Sequence, residues 1–158
     1  MNDMRTIALL ILIAVACRAG DAFGTWKVDP ARSTSNGGSH IESFIVRIGP
    51  HAKGEVFTLD RTATDGRATT SSTILYLDGK PRDFQEANCA GTQSSRRVGK
   101  DIVEVTRTCA SGAWFRFVRR PAAQPRELIL EITEQQPGGR RVERHLVMEK
   151  QEEEVVKK

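Results

Sequence analysis

The segment ELILEITEQQPGGRRVERHLVMEK, residues 127–150, decides the fold. On each side of the turn-forming sequence QPGG (136–139), apolar and polar side chains alternate with a period of two, the period of an extended strand. The apolar side chains that share a side are Leu128, Leu130 and Ile132 in the first arm and Val142, Leu146 and Met148 in the second. The segment therefore predicts two antiparallel strands, each with one face buried.

The same alternation recurs upstream and predicts nine strands in all. They span residues 25–28, 41–48, 55–62, 69–77, 93–97, 102–109, 114–119, 127–134 and 142–150. Asp-Gly pairs at 65–66 and 78–79 are typical of tight turns. Gly-Pro at 49–50 is expected to close a strand, and the Ser- and Gly-rich residues 33–39 are expected to form a loop. Connections this short join antiparallel neighbours, so the sequence predicts an all-β, antiparallel up-and-down β-barrel of eight to nine strands.

The N-terminus has the pattern of an export signal. Arg5 precedes an unbroken apolar run, residues 7–16, and small residues follow. The run is much shorter than the roughly 20 apolar residues that span a bilayer. Cleavage after Ala19 would give a secreted or periplasmic protein. Alternatively, residues 14–17 resemble a lipobox, in which Cys17 is lipidated and anchors the mature protein to a membrane.

Length and charge indicate one exported domain. Of the 158 residues, 1–19 are assigned to the signal peptide, 20–150 to the barrel and 151–158 to a flexible tail. The net charge of +4 comes from basic residues that alternate with acidic ones, so no nucleic-acid partner is expected. A membrane partner is expected only through lipidation or an anionic surface, and the oligomeric state is left open.

Cys89 and Cys109 are the two cysteines that remain once Cys17 is cleaved off or lipidated. An even pair in an oxidising compartment predicts a disulfide bond. A hairpin that turns about Gly99 sets the two residues opposite each other, because each lies ten positions from that glycine. We interpret the bond as a structural cross-link, since neither a CxxC motif nor an adjacent histidine accompanies it.

Neither catalysis nor a cofactor is expected from the residue pattern. His40, His51 and His145 are not spaced with one another, or with cysteine or carboxylate residues, as metal ligands are. His145 is expected to face outward on its strand. No nucleophile elbow or glycine-rich phosphate loop is present in the sequence, so the predictions are no enzyme activity, no cofactor and no metal.

The sequence GTWKVDPARS, residues 24–33, resembles the start of bacterial secreted lipocalin-like proteins of the calycin superfamily, which carry a GTWK motif after the signal peptide. Residues 77–81, 101–105 and 127–133 fit the same group. The resemblance implies that Trp26, which follows Gly24, plugs the closed end of a barrel. It further implies that an arginine from a late strand packs over the indole, and Arg144 is the candidate.

The resemblance also implies that the barrel binds or carries a small hydrophobic or amphipathic ligand. The inward-facing candidates for its pocket are Phe57, Leu75, Leu77, Phe115, Phe117, Leu130, Ile132 and Leu146. The alternative is that these side chains simply fill the core. A lipid with an acidic head group would suit Arg61 or Arg107 if either of them faces in. The alternative function is a ligand-free envelope interaction or structural module that acts through a basic surface.

Overall fold

The computed structural model describes residues 22–37 and 41–153. The predicted export signal, including Cys17, lies outside the described residues, as do His40 and the last five residues of the predicted tail. Eleven strands are present among the described residues: β1 (Gly24–Val28), β2 (Thr34–Asn36), β3 (Ile41–His51), β4 (Gly54–Ala63), β5 (Ala68–Leu75), β6 (Arg82–Glu86), β7 (Cys89–Gly99), β8 (Ile102–Cys109), β9 (Trp114–Pro121), β10 (Glu127–Gln135) and β11 (Arg141–Lys150). No helix in this part of the chain is long and apolar enough to cross a membrane.

The strands form one antiparallel sheet in the order β5-β4-β3-β1-β11-β10-β9-β8-β7-β6, with β2 paired to β11. The sheet curls until its two ends meet: Gln93 of β7 donates a 3.0 Å hydrogen bond to Thr73 of β5. Strands β5 and β6 are not paired through their backbones, so the barrel is nearly closed. The prediction of an antiparallel all-β barrel is confirmed.

The predicted number of eight to nine strands was too low, because two short strands were missed. Strand β2, placed in the expected loop, pairs with β11 through Ser35 opposite Arg144. Strand β6 pairs with β7 through Phe84 opposite Gly91. Neither strand carries an apolar alternation, since β2 is exposed along its length and β6 has a single apolar residue. Their pairing depends on the edges beside them, which the local sequence does not encode.

Several predicted strand ends were also wrong, and β7 begins at Cys89, four residues before its predicted start. Gly49 and Pro50 do not close β3, which continues to His51, and Pro50 pairs with Glu55. A proline this close to the end of a strand removes only one hydrogen bond from the ladder. The strand predicted to end at Leu77 is β5, and it ends at Leu75 instead. Leu77 lies beyond the strand, with a positive φ of 60°.

The barrel has two unlike ends. We call the mouth the end where the turns at 64–67, 87–88, 110–113 and 136–140 gather. We call the packed end the opposite one, where β1 begins and β11 ends. The core consists of side chains that alternate inward along the strands: Trp26, Val28, Phe44, Val46, Ile48, Phe57, Leu75, Val103, Val105, Phe117, Leu128, Leu130, Ile132, Leu146 and Met148.

Trp26 is buried at the packed end, where its Nε1 donates a 2.9 Å hydrogen bond to the Ala22 carbonyl. The predicted contact with Arg144 is wrong: the cation over the indole is Lys150, whose Nζ lies 5.4 Å from the ring centroid. The register pairs Trp26 with Lys150, and Arg144 lies six residues earlier in β11, about 20 Å away. Gly24 permits this approach, because a Cβ there would lie 2.9 Å from the Lys150 Cε.

Cys89 and Cys109 form the predicted disulfide, with a Cα–Cα distance of 5.0 Å. The predicted register was off by two residues, since Cys109 pairs with Gly91 rather than with Cys89. The cause lies in the hairpin, whose register shifts between Arg97 and Gly99 and whose turn lies after Gly99. The disulfide therefore links the strands diagonally at the mouth.

Candidate functional site

A cavity of about 760 Å³ opens at the mouth of the barrel. Its apolar wall consists of Leu59, Phe84, Trp114 and Phe115, together with Pro137 from the β10–β11 turn. The volume is in the range of ordinary ligand pockets, which are mostly apolar with a few placed polar groups. We therefore take the mouth cavity as the candidate functional site.

The charged wall of the mouth cavity comes from the same alternation that builds the core. Along β4, Phe57, Leu59 and Arg61 occupy every second position and share the inward face. Along β10, Glu134 continues the inward series of Leu130 and Ile132. The inward face thus changes from apolar to charged as these strands approach the mouth.

Arg107 is fixed between two aromatic rings in this cavity. Its guanidinium carbon lies 4.2 Å from the Phe84 ring centroid and 5.3 Å from that of Phe115. Its Nε donates a 2.7 Å hydrogen bond to Gln93, and its Nη1 lies 3.5 Å from a Glu86 carboxylate oxygen. Burial lowers the pKa of Arg107, but a guanidinium stays protonated in proteins. The cavity therefore contains a fixed positive charge.

A second arginine cluster surrounds Glu134. Arg61 Nη2 lies 3.1 Å from one carboxylate oxygen of Glu134, and Arg144 Nη1 lies 3.0 Å from the other. Burial raises the pKa of Glu134, but the charges of Arg144 and Arg61 outweigh it and hold the pKa below its ordinary value. The Glu134 carboxylate is consequently ionised and lies between two guanidinium groups.

A third internal ion pair lies outside the cavity, near the packed end. Arg119 Nη1 donates a 2.7 Å hydrogen bond and Nη2 a 3.2 Å hydrogen bond to the two oxygens of Glu55. Arg97 Nη2 adds a 3.3 Å contact to the same carboxylate. Because both Glu55 and Arg119 are buried, this bidentate pair is part of the core and not of an accessible site.

The residues predicted to form the pocket are placed mainly in the core. Six of the eight are buried there: Phe57, Leu75, Phe117, Leu130, Ile132 and Leu146. The rings of Phe57 and Phe117 stack with centroids 4.9 Å apart. Leu77 packs against the core, and only Phe115 of the eight lines the mouth cavity. Their arrangement agrees with the core-filling alternative, and their role in ligand binding stays a prediction.

Arg61 and Arg107, which the sequence offered as partners of an acidic group if either faced inward, both line the mouth cavity, but most of the cavity was missed. Glu134 could have been found by extending the alternation of β10 by one more position. Phe84 and Glu86 could not, because β6 carries too little apolar pattern to predict a strand. The rest of the cavity wall is formed by loops, whose positions depend on how the sheet closes.

Other predicted features lie away from the cavity. His145 faces outward, as predicted, with its Nδ1 3.5 Å from Glu131. Within residues 22–37 and 41–153, no group of three or more His, Cys, Asp or Glu side chains is arranged to hold a metal ion. A smaller cavity, of about 370 Å³, lies beside β5 and β6 and includes Tyr76 and Arg82 in its wall.

Fold and cavity together define a nearly closed antiparallel β-barrel with a charged pocket at its mouth. A secretory abundant heat soluble (SAHS) protein from Ramazzottius varieornatus has a similar structure, with a TM-score of 0.55 and 12% sequence identity; the match covers 82% of this chain and 95% of that chain. Zebrafish ileal bile acid-binding protein, solved with cholic acid, gives a TM-score of 0.46 at 12% identity over 82% of this chain and 98% of its own. No protein-family model and no curated protein matches this chain. At 12% identity the likeness to the first of these structures shows the fold alone, and that fold agrees with the antiparallel β-barrel expected from the sequence.

Proposed function

We propose that this protein is a binding protein rather than an enzyme, and that its mouth cavity holds a small amphipathic ligand with an acidic group. The observation that carries the proposal is the fixed position of Arg107, stacked between Phe84 and Phe115 at the wall of an open cavity. A buried guanidinium forms strong, charge-assisted hydrogen bonds with a carboxylate or similar anion. The aromatic walls would cover the apolar body of the same ligand.

The filled core sets the size of the proposed ligand. Below the mouth cavity, the stacked rings of Phe57 and Phe117 occupy the centre of the barrel, and Leu75 is fully buried beside them. A long acyl chain would have to displace this packing, which costs several kcal/mol. We therefore propose a compact ligand, such as one or two fused rings with an acidic substituent, over a long-chain fatty acid.

We further propose that the protein is exported from a bacterial cell. The N-terminal signal pattern and the disulfide between Cys89 and Cys109 support this location. Intact mass spectrometry of the protein exported by a bacterial host would test it. A mature chain that begins at residue 20 would indicate secretion, a diacylglyceryl group on Cys17 would indicate a lipoprotein, and an unprocessed cytoplasmic chain would contradict export.

Ligand binding is tested by displacement of the fluorescent anion 1-anilinonaphthalene-8-sulfonate. We expect 2-naphthoate to displace the probe, and its neutral analogue 2-naphthamide to do so on the order of tenfold less well, because the amide lacks the charge that Arg107 would pair with. Equal displacement by acid and amide would contradict the acidic group. No displacement by either compound at millimolar concentration would contradict the proposed function.

A matched pair of variants locates the binding site. Arg107→Gln removes a cavity arginine, and Arg116→Gln removes an exposed one from the outer face of the adjacent strand. We expect Arg107→Gln to weaken naphthoate binding by about tenfold or more and Arg116→Gln to leave it nearly unchanged. Of these two arginines, Arg107 lines the cavity and Arg116 does not. Similar losses in both variants would indicate non-specific attraction to a basic surface instead.

A further inference from the structure

The Glu134 carboxylate occupies a position suited to an anionic ligand. Its two oxygens face two guanidinium groups, those of Arg61 and Arg144, at 3.1 Å and 3.0 Å. The arginines come from β4 and β11, which approach Glu134 of β10 from different parts of the barrel wall. The protein itself thus supplies the anion between two convergent cations.

The two arginines have binding capacity that Glu134 does not use. The Nε atoms of Arg61 and Arg144 are buried and have no hydrogen-bond partner. The Arg144 side chain is only 7% exposed, so bulk water does not solvate it freely. A buried donor without an acceptor destabilises the folded state, and an anion with several oxygens would satisfy more donors than one carboxylate does.

We propose that Arg61 and Arg144 form an anion-binding pair, and that Glu134 is its built-in occupant, which competes with acidic ligands for the pair. The arginine pair is inferred from the contacts of Glu134 with Arg61 and Arg144, whereas the competition between Glu134 and ligands rests on the proposed function. Removal of the Glu134 charge would leave two cations facing each other across a partly buried space, where like charges repel more strongly than in water. A small oxyanion would then take the place of the carboxylate.

Sulfate is the probe for the anion pair, and the measurement is thermal unfolding of wild type, Glu134→Gln and Glu104→Gln in sodium chloride and sodium sulfate at matched ionic strength. Glu104→Gln is the matched control, because Glu104 also accepts from two arginines, Arg96 and Arg116, but on the outer face of the barrel. Sulfate stabilises proteins in general, and the control variant measures that general effect.

We expect sulfate to raise the thermal unfolding midpoint of Glu134→Gln several degrees more than the midpoints of wild type and Glu104→Gln. The rise should saturate with sulfate concentration, as binding to a site does. The double variant Glu134→Gln with Arg61→Gln should lose the extra response, since one arginine of the pair is gone. If Glu134→Gln is unfolded in chloride, the same titration is followed as recovery of near-ultraviolet circular dichroism. An equal response in all variants, or no recovery by sulfate, would overturn the anion pair.

Naphthoate binding then separates this inference from the proposed function. With its competitor removed, the arginine pair would offer 2-naphthoate a cationic partner in addition to Arg107. Glu134→Gln should then bind 2-naphthoate on the order of tenfold more tightly than wild type, and Glu104→Gln should not. Equal affinity of Glu134→Gln and wild type would refute the competition and leave the proposed function intact. A specific sulfate response without naphthoate binding in any variant would refute the proposed function and leave the anion pair standing.

Discussion

Each end of the barrel contains a glutamate carboxylate in contact with two arginines, but the surroundings of the two carboxylates differ. Near the packed end, Glu55 accepts hydrogen bonds from Arg119 and Arg97. Near the mouth, Glu134 lies between Arg61 and Arg144. Each cluster joins one glutamate to two arginines from other strands, inside the barrel.

The clusters differ in what packs around them. The side chains of Glu55 and Arg119 are 4% and 1% exposed, whereas those of Glu134 and Arg61 are 25% and 33% exposed beside an open cavity. Glu55 and Arg119 are almost fully desolvated, although Arg97 is 52% exposed, so the folded structure must absorb any change in the charge of this pair. In the second cluster Arg144 is buried, at 7% exposed, but water or a ligand can reach Glu134 and Arg61. Access, rather than residue type, separates a structural ion pair from a candidate binding site.

The largest effect is expected from Glu55→Gln. It leaves the Arg119 guanidinium buried without a counter-charge, and the free energy of unfolding should fall by about 3–5 kcal/mol. Urea denaturation followed by tryptophan fluorescence measures the loss. The double variant Glu55→Leu with Arg119→Met should recover most of it, because apolar side chains replace both charges. A loss below about 1 kcal/mol for Glu55→Gln would show that an unpaired Arg119 is no more costly near the packed end than an unpaired arginine is at the mouth.

The disulfide tests whether the mouth needs a covalent cross-link that the packed end lacks. Replacement of Cys89 and Cys109 together by serine opens a loop with a sequence separation of 20 residues. The free energy of unfolding should fall by about 3 kcal/mol through the greater entropy of the unfolded chain. Urea denaturation of the oxidised protein and the variant gives the value, and wild type under reducing conditions is the control. Equal stability of oxidised and reduced wild type would refute the expectation.

The pH dependence of stability should distinguish Glu134 from an ordinary surface glutamate. The pKa of Glu134 is held below its ordinary value of 4.5 by Arg144 and Arg61 against the effect of burial. Its charge therefore stabilises the folded state above about pH 4.5, and this contribution is lost as the pH falls through the folded-state pKa. Glu134→Gln should be less stable than wild type by about 1 kcal/mol at neutral pH, and the gap should shrink on acidification.

The matched control for this pH series is Glu152→Gln, whose side chain is 88% exposed. Its stability should follow that of wild type at every pH. Urea midpoints between pH 3 and 7 give the comparison. A constant gap between wild type and Glu134→Gln across that range would contradict the role of the Glu134 charge.

The smallest effect is expected from Lys150→Met. Removal of the ammonium group over the Trp26 ring should cost less than about 1 kcal/mol, since the aliphatic part of the side chain still covers the indole. Lys27→Met, on the exposed face of β1, is the control. Urea denaturation compares the two variants, and a loss of 2 kcal/mol or more at Lys150 would make this contact as important as the ion pair at the packed end.

The sequence by itself determined the strand periodicity, the sidedness of each long strand and the pairing of the two cysteines. The alternation along β4 and β10 places Phe57, Arg61 and Ile132 on inward faces, because successive side chains in any extended strand point to opposite sides. The burial of Trp26 was implied by the resemblance of residues 24–33 to lipocalin-like proteins. The periodicity and the sidedness depend on the period of two alone, whereas the cysteine pairing depends on an even number of cysteines in a protein predicted to be exported.

The tertiary structure decided which inward side chains meet. Contacts across the barrel depend on register and curvature. A register change of two residues keeps each side chain on the same face of the sheet but gives it a different partner on the neighbouring strand. For that reason the sequence placed Trp26 inside but assigned it Arg144 instead of Lys150. For the same reason it could not distinguish the packed end, near which Glu55 meets Arg119, from the mouth, where arginines from separate strands converge on Glu134 beside an open cavity.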